Sequence, residues 1–393
     1  MPLNLPIYLD HHATTPVDQR VLEAMLPLFT TNYGNASSKT HSFGRAAREL
    51  VEASRARIAK SIRAKPKEIV FTSGATEAIN LALKGIFRSE HKTPPHFVTA
   101  KTEHKALLDC HCWLESEGCQ VTYVGVDCDG VVNLDELEEA LRTGVTLTSV
   151  MAANNETGVV QPVTEIGSLC RQHGSLFFTD ATQALGKMAL AVDDLNADLL
   201  AASAHKLYGP KGCGFLYVRS KPRRARPVTQ LHGGGHERGL RSGTLNTPGI
   251  VGMAEAIDLC LQEMTGEQQR LRGLRDRLLS GLQNALEGVV VNGSLDRRLA
   301  MNLNVSFPGV EAEALMMGLR EDLAISTGSA CTSEKIEPSH VLSAMGLAED
   351  RIFSSVRFGL GRSTNEAEID HTVVRVAQEV KRLRGLRIHT TSG

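Results

Sequence analysis

The sequence predicts an α/β fold, with a large domain built on a mainly parallel seven-stranded sheet and a smaller α+β domain at its C-terminal side. The first observation is that short apolar runs alternate with helix-like segments over most of the chain. The second is that this alternation gives way, near residue 264, to a long charged helix and shorter strands. The third is the length, because 393 residues can bury a sizeable core and suffice for two domains.

Seven apolar runs are the predicted strands of the large sheet. They are residues 68–72, 97–100, 121–124, 145–151, 176–179, 199–202 and 215–218. Helical periodicity lies between them, for example at Ile79, Leu83 and Ile86, which fall on one face of a helix. Since parallel neighbouring strands need such crossover connections, the pattern predicts a largely parallel sheet.

The C-terminal part contains the most regular helix pattern in the chain. Apolar residues recur there four or three positions apart and predict one packed face. They are Ile369, Val373, Val376, Val380 and Leu383. Ser363 and Glu366 have the spacing of a capping box at the start of this helix. We assign residues 15–262 to the large domain, and residues 1–14 with 263–393 to the small domain.

Charge, hydropathy and cysteine usage exclude several classes of protein. With 43 basic and 44 acidic side chains, the chain is not expected to bind nucleic acid. No apolar run is long enough to span a membrane, and residues 1–6 do not resemble a leader, so we expect a cytoplasmic protein without membrane contact. The eight cysteines form no C-x-x-C pair, which predicts reduced thiols, most of them in the core. Residues 110–112 have no second ligand pair at zinc-like spacing, so no metal site is expected.

One lysine stands at the end of a predicted strand. Lys206 follows the apolar run 199–202 and precedes a glycine-rich turn at residues 209–214. A lysine in such a position can form a Schiff base if burial and neighbouring cations lower its pKa. A solvated loop lysine is the alternative that the local sequence leaves open.

Three further features lie beside predicted strand ends, where ligands of open α/β sheets bind. Asp180 can hold a pyridinium nitrogen protonated, or it can cap a loop. His104 has a side chain that can stack on a flat cofactor and exchange protons. Residues 73–76 open a helix and can bind a phosphate, although Ser73 or Thr76 could instead cap that helix.

Two surface features also have more than one interpretation. Cys331 lies among small and polar residues, where a nucleophilic thiol that has to travel would be placed, or where a cysteine is incidental. Arg223, Arg224 and Arg226 form a basic cluster, which is either a solvated surface or a docking patch for an acidic partner.

Ten motifs that occur in one order extend these observations. They are residues 8–16, 71–77, 101–105, 154–158, 180–183, 203–206, 232–239, 241–244, 329–333 and 356–358. Together they resemble the cysteine desulfurases, pyridoxal-phosphate enzymes of the aminotransferase class V group, and in particular the housekeeping iron–sulfur-cluster branch. The resemblance covers nearly the whole chain and implies the fold of the pyridoxal-phosphate-dependent transferases.

The resemblance implies a role for each matched residue. The implied catalytic residues are Lys206, Cys331 and His104. The implied residues around pyridoxal 5'-phosphate are Ala75, Thr76, His104, Asn155, Asp180, Gln183, Ser203, His205, Lys206 and Thr244. Those for the substrate are Asn155 and Arg357, with Arg357 at the substrate carboxylate.

Within that set, Lys206 would carry the cofactor as a Schiff base, while Asp180 faces the ring nitrogen and Gln183 the ring hydroxyl. His104 would stack on the ring. Thr244 would reach the phosphate of the other subunit, which implies a homodimer.

The implied reaction removes sulfur from L-cysteine and gives L-alanine and a persulfide on Cys331, whose loop would act as a mobile arm. Sulfur-acceptor proteins would then take the sulfur for iron–sulfur clusters or other sulfur biosynthesis. An iron–sulfur scaffold protein is one such acceptor, although residues 387–393 do not match the tail that helps to dock it in the family. A selenocysteine lyase and a class V aminotransferase remain the alternatives.

Overall fold

The computed structural model describes residues 3–90, 94–222, 225–327 and 337–390, with side chains up to residue 386. The strands are β1 (Ile7–Tyr8), β2 (Ile69–Thr72), β3 (His96–Ala100), β4 (Gln120–Val124), β5 (Leu147–Ser149), β6 (Leu176–Asp180), β7 (Leu199–Ser203), β8 (Gly214–Val218), β9 (Val290–Val291), β10 (Asn302–Ser306), β11 (Leu323–Ala324) and β12 (Ser355–Gly359). The helices are α1 (Gln19–Met25), α2 (Pro27–Thr30), α3 (Ser42–Ser61), α4 (Ala75–Ser89), α5 (Lys105–Ser116), α6 (Leu134–Leu141), α7 (Val163–Gln172), α8 (Thr247–Ala285), α9 (Ala312–Leu319), α10 (His340–Ala344), α11 (Glu349–Phe353) and α12 (Glu366–Thr390).

The large sheet confirms the predicted α/β class. It has seven strands in the spatial order β2-β8-β7-β6-β5-β3-β4. Strands β7, β6, β5, β3 and β4 are parallel to one another, whereas β8 runs antiparallel to both of its neighbours. Because β2 pairs with β8 in turn, β2 points the same way as the parallel strands, and their carboxyl ends share one edge.

Both faces of this sheet are covered by helices. Along β2, Val70 packs into one apolar cluster with α4 and α5, while Ile69 and Phe71 pack into the larger cluster on the other face. Strand β8 alternates in the same way, with Leu216 on the α4 side. A strand buried on both faces is apolar throughout, which explains why these strands read as continuous apolar runs in the sequence.

The C-terminal part contains an antiparallel sheet in the order β12-β10-β9, next to the parallel pair β1-β11. The pairing of β1 with β11 places the N-terminal residues beside the C-terminal ones. Helix α8 is 39 residues long and continues through residue 262, where the large domain is predicted to end. The division into residues 15–262 and 1–14 with 263–393 stays a prediction.

Helix α12 has the predicted apolar face, because Ile369, Val376 and Val380 are buried. The predicted capping box is wrong by two residues. The Asn365 side-chain oxygen accepts a hydrogen bond from the Glu368 backbone N–H at 3.1 Å. In return, the backbone N–H of Asn365 donates to the Glu368 carboxylate at 3.1 Å. The helix begins at residue 366, so the capping position falls on Asn365.

Most of the described cysteines are core residues, as predicted: Cys110, Cys119, Cys170, Cys213 and Cys260 are buried, and Cys112 and Cys128 are exposed. Within the described ranges, no helix has both the length and the apolar character needed to cross a membrane.

Candidate active site

A cavity of about 810 Å³ lies at the shared carboxyl edge of the large sheet. Loops that follow the parallel strands form one side of it, and residues from the N-terminal segment and β12 form the other. Ten of the predicted site residues line this one cavity. They are Ala75, Thr76, His104, Asn155, Asp180, Gln183, Ser203, His205, Lys206 and Arg357.

Lys206 lies in a short turn that directly follows β7. Its Nζ donates to the backbone oxygens of His12, at 2.7 Å, and Ala13, at 2.5 Å. Burial, and then the positive charge of Arg357, lowers the pKa of Lys206 from its usual 10.5 to about 8. The neutral, nucleophilic form of its amine is therefore far more populated near neutral pH than in an ordinary lysine. The solvated loop lysine that the local sequence left open does not match this environment.

Asp180 ends β6 and is buried. One carboxylate oxygen accepts a hydrogen bond from the Thr182 backbone at 2.9 Å. Within the part of the chain that the structure describes, the buried Thr182 Oγ1 has no hydrogen-bond partner. Buried polar atoms are rarely left unpaired, so this oxygen indicates a missing polar ligand beside Asp180.

His104 caps α5 through its ring, since Nδ1 accepts from the Ala106 backbone at 3.2 Å. That bond leaves Nε2 as the ring nitrogen available to the cavity. Burial lowers the pKa of His104, and the nearby Asp180 opposes this shift. The imidazole is therefore neutral near pH 7 and carries its proton on Nε2.

The start of α4 forms the far end of the cavity. Its N-cap is Gly74, and no described side chain, including those of Ser73 and Thr76, caps the first amides. The capping alternative is therefore wrong. Glu77 instead accepts from the Ser73 backbone at 2.7 Å and forms an ion pair with Arg241 at the same distance. Uncapped amides at a helix N-terminus are donors for a phosphate group.

Ser203 and His205 lie beside this helix start. The Ser203 hydroxyl is 3.5 Å from the Cys213 carbonyl, and His205 Nδ1 is 3.2 Å from the Thr14 hydroxyl. Burial, followed by the charge of Lys206, lowers the pKa of His205 to about 4. His205 is therefore a neutral hydrogen-bonding group at this end of the cavity.

Arg357 projects from β12 on the opposite side and is buried. Its guanidinium donates to Asp10 Oδ1 at 2.7 Å, to the Asn155 carbonyl at 2.7 Å and to the Ser326 hydroxyl at 2.8 Å. Its Nε is buried and has no partner among the described residues. The same is true of Asn155 Oδ1. The Arg357 Nε donor suits a negatively charged ligand group, and Asn155 Oδ1 suits a hydrogen-bond donor of the ligand.

Two predicted residues are not placed in the cavity. Thr244 is exposed and is not one of the described residues that line it. Cys331 lies outside the described residues, as do Arg223 and Arg224 of the basic cluster.

The sequence did not assign a role to Asp10 or His12, although both line the cavity. They belong to the motif at residues 8–16, so that motif was the available signal. Their partners are Arg357, Gln183 and Asn302, at least 171 positions away in the chain. No local pattern connects residues at such a distance.

Comparisons with known proteins identify the family of this chain. The family model described as aminotransferase class-V matches residues 7–372. The cysteine desulfurase IscS of Anaeromyxobacter sp. (strain Fw109-5) is 54% identical over 382 residues, which cover 97% of this chain and 94% of that protein.

Two solved structures are similar over most of their length. A NifS-like protein has 36% sequence identity and a TM-score of 0.90, with 96% of this chain and 100% of that chain covered. The structure described as SspA in complex with cysteine has 36% identity and a TM-score of 0.80, with 90% and 98% covered. By these similarities over nearly its whole length, the chain belongs to the cysteine desulfurases of the aminotransferase class V family.

Proposed function

We propose that this protein uses pyridoxal phosphate to remove sulfur from L-cysteine, releasing L-alanine and leaving a persulfide on Cys331. The observation that carries the proposal is the position of Lys206, whose amine has a lowered pKa and lies at the sheet edge. It shares the cavity with the Asp180 carboxylate and the Arg357 guanidinium. An amine activated in this way forms Schiff bases with carbonyl groups. The named relatives and the cysteine-bound neighbour support cysteine as the substrate.

The donor set of the cavity fits pyridoxal phosphate. Asp180 would hold the ring nitrogen, Gln183 the ring hydroxyl and His104 one face of the ring. The phosphate would be held by the Ala75 backbone, Thr76, Ser203 and His205. When bound, the cofactor supplies an electron sink for negative charge that develops on the substrate.

Lys206 and His104 are suited to moving protons. With a pKa of about 8, Lys206 Nζ can accept the proton from the substrate α carbon and return it later. His104 presents Nε2 to the cavity in the neutral form and can donate there. Since its Nδ1 is held by the α5 backbone, the ring is fixed in orientation.

Arg357 would bind the carboxylate of cysteine. Asp10, Ser326 and the Asn155 carbonyl hold the guanidinium in place, and Nε is left as a free donor. An arginine fixed in this way matches the planar geometry of a carboxylate.

The sulfur step belongs to Cys331. Its thiolate attacks the substrate sulfur, and the new S–S bond forms as the carbon–sulfur bond of the substrate breaks. The electron pair of the broken bond goes to the β carbon, which takes a proton and becomes the methyl group of alanine. The sulfur remains on Cys331 as a persulfide for transfer to an acceptor protein.

The test is to incubate the pyridoxal-loaded protein with L-cysteine and to measure alanine together with the mass added at Cys331. We expect one persulfide sulfur on Cys331 and alanine formation that is lost in Cys331→Ser. The exposed Cys128 offers a matched control, since Cys128→Ser should keep both signals. Alanine formation at the normal rate in Cys331→Ser would contradict the persulfide route. Relative rates with cysteine and selenocysteine would separate the lyase alternative.

We also propose a homodimer in which Thr244 reaches the partner's site. Several large apolar side chains near the N-terminus are exposed, namely Leu26, Phe29, Tyr33 and Phe43. The rings of Tyr33 and Phe43 are 5.6 Å apart, so they form a patch rather than isolated residues. Nearby, Ser37 Oγ lies 2.8 Å from His236 Nε2 and joins this segment to the loop that leads to Thr244. Exposed apolar patches of this kind favour association.

A mixture of two inactive variants tests the shared site. In a mixed dimer of Lys206→Ala and Thr244→Ala subunits, one site carries both substitutions and the other carries neither. We expect mixing to restore activity up to about half per dimer. If mixing restores nothing while mixed dimers are seen in native mass spectra, Thr244 does not act across the interface.

The remaining partners are proposals as well. Sulfur-acceptor proteins would receive the persulfide sulfur, and an iron–sulfur scaffold protein is one of them. Arg226, the described member of the basic cluster, is available as a contact for an acidic acceptor. The cytoplasmic location stays a prediction.

A further inference from the structure

A continuous set of hydrogen bonds runs through the protein behind the cavity. Arg298 donates to Asn302 Oδ1 at 3.2 Å, and Asn302 Nδ2 lies 3.2 Å from His12 Nε2. His12 Nδ1 lies 3.1 Å from Gln183 Oε1, which also accepts from Lys187 Nζ at 3.1 Å. All five side chains are buried. We call Arg298, Asn302 and His12 the relay, and Gln183 is its end at the cavity.

Arginine sets the direction of every bond in the relay. A guanidinium has donors and no acceptor, so the oxygen of Asn302 must face Arg298. The amide nitrogen of Asn302 then donates, both to the Glu156 carbonyl at 3.1 Å and to His12. His12 Nε2 is therefore an acceptor, and the ring proton is on Nδ1.

The other end of the relay gives the same direction independently. A backbone carbonyl can only accept, and Gln183 Nε2 donates to the His12 carbonyl at 2.9 Å. The Gln183 oxygen must consequently face His12 Nδ1 and Lys187. Burial, with the charges of Lys187 and Arg357 acting in the same sense, holds the pKa of His12 well below its usual 6.5. The ring is neutral, so it has one donor and one acceptor, as the relay requires.

We propose that Arg298, Asn302 and His12 are positioning residues that fix the Gln183 amide with its nitrogen as the donor to the cavity. One Nε2 hydrogen is used by the His12 carbonyl, and the second is free for a ligand. The ligand group that this donor suits is a negatively charged ring oxygen. This inference rests on the proposed function, in which that oxygen belongs to pyridoxal phosphate.

Strand β10 offers a matched pair of variants. Asn302 and Asn304 are both fully buried, lie two residues apart on the same strand, and donate to the same Glu156 carbonyl. Only Asn302 of the two contacts His12; Asn304 Oδ1 instead accepts from Asn292. Asn302→Leu therefore removes the relay, while Asn304→Leu removes a similar amide outside it.

The readout is the pH titration of the visible absorbance of the bound cofactor. A hydrogen-bond donor to the ring oxygen stabilises the negative charge on that oxygen. Losing the donor therefore raises the pH at which half of the absorbance change has occurred. For Asn302→Leu we expect a rise of up to about one unit, the size that corresponds to one hydrogen bond to a charged group, because Gln183 keeps its bonds to the His12 carbonyl and Lys187 but the His12 ring is no longer fixed. For Asn304→Leu we expect no change. Equal shifts in the two variants would overturn the relay.

A double-mutant cycle separates positioning from a general structural effect. In a Gln183→Ala background the relay has nothing to position, so Asn302→Leu should cause no further shift. A shift as large as in the native background would show that Asn302 acts by another route and would overturn the proposal.

The tautomer of His12 can be measured in the protein without any substitution in the relay. In the full-length protein, ¹⁵N spectra of the histidine rings should show His12 with a protonated Nδ1 and a bare Nε2. The opposite tautomer would overturn the relay even if Asn302→Leu did not fold. If the wild-type protein formed no visible band with pyridoxal phosphate, the proposed function would fail, and the ¹⁵N measurement would still decide the relay.

Discussion

Two sides of the cavity are built in different ways. The sheet-edge side consists of His104, Asp180 and Lys206, and each of them lies at or just after the end of one parallel strand. The cross-chain side consists of Asp10, His12 and Arg357, which come together from the N-terminal segment and β12. The first side depends on strand order and the second on contacts between distant parts of the chain.

The two sides also differ in how their polar groups are satisfied. On the sheet-edge side, burial lowers the pKa of Lys206 toward neutral pH and lowers the pKa of His104, so that the imidazole is neutral there. On the cross-chain side, Arg357 makes three hydrogen bonds to the protein, and His12 is held at both ring nitrogens. The sheet edge is thus suited to chemistry, and the cross-chain side to orientation.

The largest effect is expected from removing the amine of the sheet-edge side. Lys206→Ala should lower alanine formation by at least about a thousandfold, because the acid–base group and the attachment point of the cofactor are lost together. Lys211→Ala is the matched control, since Lys211 also lines the cavity but is exposed. Initial rates of alanine formation test this. A comparable loss in both variants would mean that the general positive charge of the cavity matters more than the amine at the strand end.

This contrast also explains what could be predicted from the sequence. Asp180 and Lys206 follow apolar runs, and the parallel sheet brings all such positions to one edge, so local patterns sufficed. Strands such as β2, β7 and β8 were predicted because a strand buried on both faces shows a nearly continuous apolar run. The edge strand β4 is only partly buried and was predicted from its short apolar run alone.

The contacts of His12 with Asn302 and of Asp10 with Arg357 could not be predicted in that way. They join residues 290 and 347 positions apart, and their geometry depends on how β1, β10 and β12 meet. The start of α12 was wrong by two residues for a local reason, since Ser363 with Glu366 and Asn365 with Glu368 both have the spacing of a capping box.

A second prediction concerns the contribution of Glu237 to stability, since this carboxylate is distant in sequence from strand β2 but contacts it. Glu237 is buried, pairs with both terminal nitrogens of Arg55 at 2.8 Å, and accepts from the Phe71 backbone in β2. Glu237→Gln should lower the free energy of unfolding by about 3 kcal/mol, because it removes the buried carboxylate of the ion pair and leaves the exposed Glu52 as the charged partner of Arg55. Denaturant unfolding measures this.

The control for Glu237 contacts the same arginine. Glu52 lies 3.2 Å from Arg55, but its side chain is 57% exposed. Glu52→Gln should cost less than about 1 kcal/mol, as for other exposed ion pairs. If both variants lost the same stability, the burial of Glu237 would not be the reason for its importance.

A third prediction concerns substrate binding on the cross-chain side. Arg357→Lys keeps the charge but loses the planar fork, so we expect KM for cysteine to rise about 10- to 100-fold with a smaller change in kcat. Arg351→Lys is the control, because Arg351 bonds to Asn292 and the Val291 carbonyl and does not line the cavity. A fall in kcat with an unchanged KM would assign Arg357 to the reaction step instead.

A fourth prediction concerns the region behind the cavity, at Lys187. Burial, followed by the charge of Lys206, lowers the pKa of Lys187 from its usual 10.5 to about 7. Between about pH 7 and pH 10 the unfolded chain therefore binds one proton more than the folded protein at this residue. The contribution of Lys187 to the free energy of unfolding should therefore rise by about 1.4 kcal/mol per pH unit between about pH 7 and pH 10, and it should not change below pH 7.

Lys187→Met removes this dependence while keeping most of the side-chain volume. The difference in unfolding free energy between the variant and the native protein should favour the variant at pH 7 and shrink steadily toward pH 10. Taking the difference between the variant and the native protein cancels the contributions of the other titrating groups. If the difference did not change with pH, Lys187 would be charged throughout this range, and a charged lysine would be the permanent second donor to the Gln183 oxygen.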